Sequence, residues 1–387
     1  MKIRTIRNLD ELETLRENWE DWQHHPNADI DFFQLICRMR KEVICPHVIV
    51  MERDGKPCAL LAARLEKTKF IPKIGYFKPI QIPATILTVI HQGLLGQIDE
   101  GMAKELVRHF WLLLSSKEAD AIVFNQLLED SPLGKALLIN GPRWWCEKGP
   151  AWSTHWKMLL PEKFDFLQHK MGSKQRWKVR KRQRELESAF PGKVSWQWIT
   201  SFDDVLGICA RLEEVAARTY QRGLGAGFKD DEEHRRRLAL FASRGQLRVQ
   251  LLEVGESVRA FWIGTIYKGV FHSDALGYDP DFRQYEPGTL VFVKLADELT
   301  REGVKEIDFG LGDGVYKQRF GDESWRESTV RFFSPNLKGF YLRAFFGVFF
   351  MLDKLGRSLV LETGVLDKIK TLWRRRLETK NSEPDAE

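Results

Sequence analysis

Cysteine is scarce in this chain of 387 residues, and its five copies stand at irregular spacings. They are Cys37, Cys45, Cys58, Cys146 and Cys209, and no two of them form a CxxC pair. An odd number of cysteines without regular spacing excludes a complete disulfide framework, and thiol zinc sites use closer pairs. We therefore expect free thiols and no metal site.

Long hydrophobic runs are also missing. The longest strongly apolar run, Ala344–Leu352, is far shorter than the roughly 20 residues with which a helix crosses a bilayer. The first residues, MKIRTIRNLDELETL, carry charges where a signal peptide needs an apolar stretch. We expect a cytoplasmic protein whose Phe-rich segment after Pro335 packs on a domain, with peripheral membrane contact as the alternative.

Several catalytic signatures are absent as well. The sequence contains no HExxH, no GxSxG and no Gly-Lys-Ser/Thr triplet. This excludes the zinc-protease, serine-hydrolase and P-loop sites that these motifs build. The pair His24-His25 has no further ligand residue at metal spacing. The chemistry must therefore come from a different set of side chains.

Positive charge is present and is concentrated in one segment. The chain has a net charge of +6. Within 170–187, eight basic residues stand against two acidic ones, so this segment carries a charge equal to the whole net charge. A predicted helix over 174–184 places Arg176, Arg180 and Arg184 on one face, where like charges repel unless an anion binds. We expect an anionic ligand there: the phosphates of a donor, a glycan precursor, an acidic membrane surface or tRNA.

The order of the predicted elements indicates a mixed α/β fold. Two helices, a hairpin around Asp54-Gly55 and then alternating strands and helices fill residues 1–155. Residues 156–335 again run through helices before strands, and 336–387 read as a helical extension with a polar tail. We predict two copies of one α+β domain with a mixed sheet, of which the second carries the chemistry.

One segment of the second half has the features of an anion site. A predicted strand, Val270–Tyr278, leads through a loop with Arg283 and Gln284 to Pro287-Gly288-Thr289, which opens a predicted helix. Proline at the first helical position and glycine beside it leave backbone N–H groups open and allow close approach. Together with the helix dipole, this arrangement suits a pyrophosphate.

A glycine-rich loop follows the next predicted strand. Gly310-Leu311-Gly312-Asp313-Gly314 comes after the strand Lys305–Phe309, and Tyr316-Lys317 comes directly after the loop. A dinucleotide fingerprint would need a longer strand, a βαβ unit and a distant acidic residue for the ribose. Those features are missing from the sequence, so this loop is not expected to bind NAD or FAD.

Two stretches of sequence resemble a known family. The segments "YDPDFRQYEPGTLVFVKLADELTREGVKEIDFGLGDGVYKQRFG" and "FDFLQHKMGSKQRWKVRKRQRELE" resemble the GNAT acyltransferases linked to bacterial cellulose biosynthesis, the CelD/BcsL-like group. That group is similar to the Fem peptidyltransferases of cell-wall synthesis. The resemblance covers about Phe164–Phe333. It implies tandem GNAT-like domains, of which the second binds the acyl donor.

The resemblance also implies roles for residues around the predicted anion site. Pro287, Gly288 and Thr289 would form the pyrophosphate loop, with Arg283 and Gln284 ahead of it. Tyr278 would end the strand that faces the thioester. The usual GNAT loop has two small residues, whereas Gln284–Thr289 contains one glycine, so another phosphorylated donor remains an alternative.

Acyl transfer to an amine needs a base, a donor to the oxyanion and an acid for the leaving group. Asp274, Asp308 and Asp313 are candidate bases near predicted strand ends. Tyr316 or Tyr278 could supply the acid. Lys317 could stabilise the oxyanion or hold a phosphate.

We therefore predict transfer of an acyl group, in the first place acetyl from acetyl-CoA, to an amine or hydroxyl acceptor. The acceptor is expected to be a small molecule or glycan precursor of exopolysaccharide or cell-envelope synthesis. Aminoacyl transfer from charged tRNA is the second possibility. The third is a non-catalytic GNAT-like protein that binds an anion or acts as a scaffold.

Overall fold

The computed structural model describes residues 1–72, 80–140, 146–147, 152–162, 165–219, 222, 227–312 and 314–362, with backbone only for 139–140 and 356–362. The chain divides into two compact units. The first unit comprises Met1–His155 and the described residues from Trp325 onward, and the second comprises Trp156–Ser324.

The first unit has most of its elements in the first 140 residues. They are β1 (Lys2–Ile6), α1 (Leu9–Leu12), α2 (Arg16–Trp22), α3 (Ile30–Met39), β2 (Val43–Arg53), β3 (Lys56–Phe70), β4 (Ile82–Gly96), α4 (Glu100–Ser115), β5 (Ala121–Leu128) and α5 (Pro132–Asn140). Single 3-10 turns join the early helices at Glu13–Leu15 and Pro26–Ala28.

The sheet of the first unit has the order β1-β2-β3-β4-β5 and ends on a strand from the far end of the chain, β12 (Glu323–Phe333). Its neighbours are antiparallel except β4 and β5, which are parallel. One core lies between the sheet and α4, where Leu106 and Phe110 recur at helical spacing; the other lies under α2 and α3, around Trp19 and Phe33.

The second unit is built from the middle of the chain. Its elements are β6 (Ser153–Leu159), α6 (Phe166–Lys170), α7 (Ser173–Ala189), β7 (Val194–Ile199), α8 (Phe202–Ala217), α9 (Glu232–Ser243), β8 (Leu247–Val254), β9 (Ser257–Tyr267), β10 (Val270–Tyr278), α10 (Pro287–Arg301), β11 (Glu306–Asp308) and α11 (Val315–Phe320). A 3-10 turn at Pro280–Tyr285 precedes α10.

The sheet of the second unit has the order β7-β8-β9-β10-β11-β6. Only β10 and β11 are parallel, because α10 carries the chain across between them. One core lies under α10, around Phe292 and Leu295, and the other lies under α8, around Leu212. Both faces of the sheet are therefore covered by helices.

The two units share one plan: a strand, helices, three antiparallel strands, a crossover helix, a parallel strand and a final antiparallel strand. The predicted mixed α/β fold with two copies of one domain is confirmed. The final strands come from unexpected places in the chain. The first unit is completed by β12, whose residues the sequence groups with 156–335, and the second is completed by β6, which precedes β7.

The last described element is α12 (Leu337–Glu362), which belongs to the first unit. Leu342 on its inner face is fully buried, and Phe346 packs against Phe70 at a ring distance of 5.7 Å. Among the described residues, no helix combines the length and the hydropathy needed to cross a membrane.

Candidate functional site

The parallel pair β10 and β11 separates within the second unit. The two strands pair over three residues each, from Val270–Glu306 to His272–Asp308. After Asp308 the chain leaves the sheet, whereas β10 continues to Tyr278 alongside β9. Beyond His272, the other edge of β10 therefore has no strand beside it among the described residues. Its backbone groups can hydrogen-bond to a ligand.

A pocket of about 260 Å³ lies where β10 continues beyond β11. Six of the residues selected from the sequence line it: Tyr278, Arg283, Pro287, Gly288, Thr289 and Tyr316. The remaining lining residues are Trp262, Leu276, Glu286, Phe292 and Phe320. This pocket, called the aromatic pocket below, is thus mostly aromatic and apolar, with polar groups at the start of α10, as is usual for cofactor sites.

The first turn of α10 forms one end of this pocket. Pro287 has no N–H, and the N–H groups of Thr289 and Leu290 donate to the Glu286 carbonyl. This leaves the Gly288 N–H as the first-turn donor that is available to an anion. A Cβ atom added to Gly288 would lie 3.6 Å from Cδ1 of Tyr278, so any larger side chain there would extend into the pocket.

Glu286 also lines the pocket, and two side chains of helix α7 neutralise its carboxylate. Lys178 Nζ lies 2.8 Å and Arg182 Nε 3.3 Å from Glu286 Oε1. Partial burial raises the pKa of Glu286, but the hydrogen bonds from Lys178 and Arg182 outweigh it and bring the pKa below its usual value. Lys178 and Arg182, two cations of the basic segment, therefore form ion pairs with this carboxylate.

The three arginines predicted to bind an anion have different surroundings. Arg176 is half-buried and donates to the backbone carbonyl of Met171 at 2.8 Å, so it ties α7 to the preceding turn. Arg180 and Arg184 are exposed. Arg184 lines an open hollow of about 750 Å³ together with Gln284, which is therefore placed outside the aromatic pocket.

Lys317 supports the glycine-rich loop. Lys317 is 7% exposed, and its ammonium group donates to the carbonyls of Gly310 at 2.8 Å and Leu311 at 2.9 Å. The preceding residue, Tyr316, packs edge-on against Trp262 and Phe309. Lys317 thus fixes the loop that positions Tyr316 at the pocket, which differs from the predicted contact with an oxyanion or phosphate.

His272 and Asp308 stand at the last paired position of β10 and β11. Their neighbours Phe271 and Ile307 are buried in the core under α10, so the alternation of side chains puts His272 and Asp308 on the opposite face of the sheet. His272 Nδ1 lies 3.4 Å from Asp308 Oδ2, and Asp308 also accepts from the Gly310 N–H at 2.7 Å. Asp308 was selected from the sequence; His272 was not.

Asp274, another predicted base, does not join this pair. Asp274 forms an ion pair with Arg237 of α9 and accepts from Thr265 Oγ1 at 3.2 Å, so it is neutralised on the face that carries α9. Asp313 lies outside the described residues. Of the two described aspartates, Asp308 faces His272 and Asp274 pairs with Arg237.

The first unit has a similar opening but different chemistry at it. β4 and β5 pair from Ile86–Ala121 to Val89–Phe124 and then enclose a pocket of about 220 Å³. The helix after β4, α4, begins at Asp99, whose carboxylate accepts from the Met102 N–H at 2.8 Å. The Asp99 carboxylate thus accepts from the first turn of α4, whereas the Glu286 carboxylate at the start of α10 is bound to α7 instead.

Comparison with known families agrees with this geometry. Residues 173–318 match the family model of the acetyltransferase (GNAT) domain. These residues form a GNAT-type domain. The match runs from α7 into α11 and includes His272, Asp308 and every lining residue of the aromatic pocket except Phe320. A sequence search among curated proteins finds no match.

Solved structures with the same fold cover most of the chain. FemX is similar over 86% of this chain and 97% of its own, with a TM-score of 0.52 and 10% identity. A tandem GNAT protein from the clavulanic acid biosynthesis pathway is similar over 87% of this chain and 99% of its own, with a TM-score of 0.51 and 12% identity. The C-terminal DUF2156 domain of a candidate lysylphosphatidylglycerol synthetase from Agrobacterium fabrum is similar over 89% of this chain and 96% of its own. Its TM-score is 0.50 and its identity is 13%. At such identities, the likeness shows the fold alone.

Proposed function

We propose that the chain is an acyl-CoA-dependent acyltransferase whose donor binds in the aromatic pocket of the second unit. The observation that carries the proposal is the position of this pocket. It joins an open edge of β10 to the first turn of α10, so one ligand could contact both an unpaired strand and a helix start. Acyl-CoA is a ligand with both an amide-containing arm and a pyrophosphate.

The residues of the pocket suit the two ends of such a donor. Trp262, Phe292 and Tyr316 offer apolar surface for the arm, and the backbone of β10 beyond His272 offers hydrogen bonds to its amides. The Gly288 N–H and the Arg283 guanidinium are suited to the pyrophosphate. Acetyl-CoA is the donor proposed first.

His272 and Asp308 are proposed to activate the acceptor. The acceptor amine attacks the thioester carbonyl carbon, and His272 takes the proton that the amine loses. Asp308 holds the imidazole in orientation and stabilises its charged form. When the tetrahedral intermediate collapses, the C–S bond breaks and the CoA thiolate takes a proton, for which Tyr278 or Tyr316 at the pocket is the proposed donor.

The acceptor is proposed to be an amine, or a hydroxyl, of a precursor in exopolysaccharide or cell-envelope synthesis. This assignment rests on the resemblance of residues 164–333 to the CelD/BcsL-like group. The exposed Arg180 and Arg184 are proposed to attract an acidic acceptor to the second unit.

Aminoacyl transfer from tRNA is the second candidate, and two observations favour it. Glu286 lines the pocket next to the helix start, and its carboxylate occupies Lys178 and Arg182, two cations that could otherwise contact a pyrophosphate. The open hollow beside it is lined by three basic residues, Lys181, Arg182 and Arg184, against one acidic residue, Glu185, and such a surface suits the phosphates of a nucleic acid. A tRNA donor would place its phosphates on α7 rather than on α10.

Release of free CoA thiol from acetyl-CoA in the presence of a panel of amines and amino sugars tests the first candidate. Acceptor-dependent thiol release that His272→Gln abolishes would support it. If the protein binds acetyl-CoA without any turnover, a binding role is favoured over catalysis. If it binds no acyl-CoA but transfers from charged tRNA, the second candidate replaces the first.

A further inference from the structure

Helix α12 has two apolar faces, and the fold uses only one of them. The inner face contains Leu342 and Phe346, which pack into the core of the first unit. Gly339 lies so close to Ser334 that an added Cβ would come within 2.1 Å of the Ser334 carbonyl oxygen. The start of the helix is therefore held firmly on the unit, and its orientation is defined.

The outer face of α12, defined as Leu337, Phe340, Val348, Met351, Leu352 and Leu355, is exposed. Leu337 is 89% and Met351 62% exposed. At about 100° per residue, these positions fall within an arc of roughly 160–280° from Leu342, opposite the packed side. The arc extends about 27 Å along the helix axis, from Leu337 to Leu355.

A large exposed apolar face on a helix usually marks a surface that binds a partner or lipid. Such a continuous apolar stripe is much larger than the single exposed hydrophobic residues found on ordinary surfaces. The outer face of α12 is therefore a candidate surface for a partner or a lipid phase.

Charge around the stripe decides between the possible occupants. In the part of α12 whose side chains the structure describes, three basic residues (Lys338, Arg343 and Lys354) stand against one acidic residue (Asp353). A second copy of the chain would bring the same positive charges to the interface and repel. An anionic lipid surface would attract them while it accepts the apolar stripe. Phe340 and Tyr341, both exposed, are residues that favour the boundary between headgroups and acyl chains.

We propose that α12 is a membrane-surface helix that lies in the interface of an anionic bilayer through its outer face. The helix does not cross the bilayer; it holds the enzyme at the surface. This role is independent of the donor pocket, which belongs to the second unit.

Co-sedimentation of the full chain with vesicles tests the proposal. Phosphatidylglycerol mixed with phosphatidylcholine provides the anionic surface, and phosphatidylcholine alone is the comparison. We expect the wild-type chain to bind the anionic vesicles at least tenfold more tightly, with binding that weakens as salt is added. The double variant Val348→Glu/Met351→Glu should lose at least tenfold in affinity for anionic vesicles.

Leu112→Glu is the matched control, because Leu112 is 64% exposed on α4 of the same unit. It should bind vesicles as the wild type does. Both variants alter exposed positions, so their thermal midpoints should stay close to that of the wild type. The proposal is overturned if the wild-type chain stays in the supernatant with anionic vesicles. It is also overturned if the chain is a stable dimer that the double variant converts to a monomer, or if the double variant binds vesicles normally.

Discussion

Replacing Gly288 by leucine should remove donor binding without harming the fold. The ideal Cβ at this position lies 3.6 Å from Tyr278 Cδ1, an ordinary contact, so the first atom of the new side chain fits. The outer atoms of leucine would then occupy the pocket of about 260 Å³ beside the start of α10. Leucine is also the better helix former, by roughly 0.8 kcal/mol.

The expected size of the effect follows from binding linkage. A ligand at a hundred times its dissociation constant stabilises the folded state by about 2.7 kcal/mol. For a unit of the size of Trp156–Ser324, 1 kcal/mol shifts the unfolding midpoint by about 2–4 °C, so saturating acetyl-CoA should raise it by roughly 5–10 °C. If Gly288→Leu weakens binding by about a hundredfold, the same concentration adds only about 0.4 kcal/mol, or roughly 1–2 °C.

The assay is thermal unfolding with and without acetyl-CoA, and Gly207→Leu is the control. Gly207 lies in α8, and an added Cβ there meets no atom within 4 Å. The control should keep the full rise in midpoint. A full rise in Gly288→Leu would refute the assignment of this pocket to the donor, and a fall in the midpoint of its ligand-free form would show that the fold itself was disturbed.

Three further predictions concern single side chains. Lys317→Met should destabilise the second unit by roughly 2–4 kcal/mol in urea unfolding, because the carbonyls of Gly310 and Leu311 lose a charged donor. His272→Gln should lower turnover by about a hundred- to ten-thousandfold and leave the dissociation constant of acetyl-CoA unchanged, since the residue lies on the opposite face from the pocket. Burial lowers the pKa of His47 to about 4, so the unfolded chain takes up more protons there between pH 6.5 and pH 4. The stability that neutral His47 provides is therefore complete above about pH 6.5 and is lost as the pH falls, by about 2 kcal/mol between pH 7 and pH 5, and His47→Gln should remove that part of the pH dependence.

Each of these predictions can fail in a specific way. Lys317→Met with wild-type stability would mean that the ammonium does not support the glycine-rich loop. Equal turnover in His272→Gln would move the base elsewhere, whereas weaker acetyl-CoA binding would indicate a structural role. An equal difference in unfolding free energy between pH 7 and pH 5 in His47→Gln and the wild type would show that another group titrates.

Much of the aromatic pocket could be predicted from local sequence. Tyr278 at a strand end and Pro287-Gly288 at a helix start follow from short-range signals, namely turn residues and the change from strand to helix periodicity. The structure brings these local features together because one helix crosses between two parallel strands. The tandem plan was predictable for the same reason, since helices precede strands in both halves.

The parts that sequence reasoning missed depend on contacts between distant residues. Asp274 is paired with Arg237 of another helix, and Lys317 turns its charge to backbone carbonyls rather than to a ligand. Neither choice leaves a local signal. His272 begins the motif His-Ser-Asp. It can be recognised as a site residue only because it lies opposite Asp308 in the register of the parallel strands β10 and β11. Local sequence also does not indicate which strand completes each sheet, because β12 and its partner β5 are separated by about 200 residues of sequence.

The most direct test of the account is isothermal titration of acetyl-CoA into the wild-type chain, with Gly288→Leu alongside. We expect one acetyl-CoA site per chain, because the Asp99 carboxylate caps the start of α4 in the first unit. We also expect that CoA competes for that site and that Gly288→Leu shows no measurable heat. No binding of acetyl-CoA, a longer acyl-CoA or CoA to the wild type would contradict the account, as would two equal sites per chain.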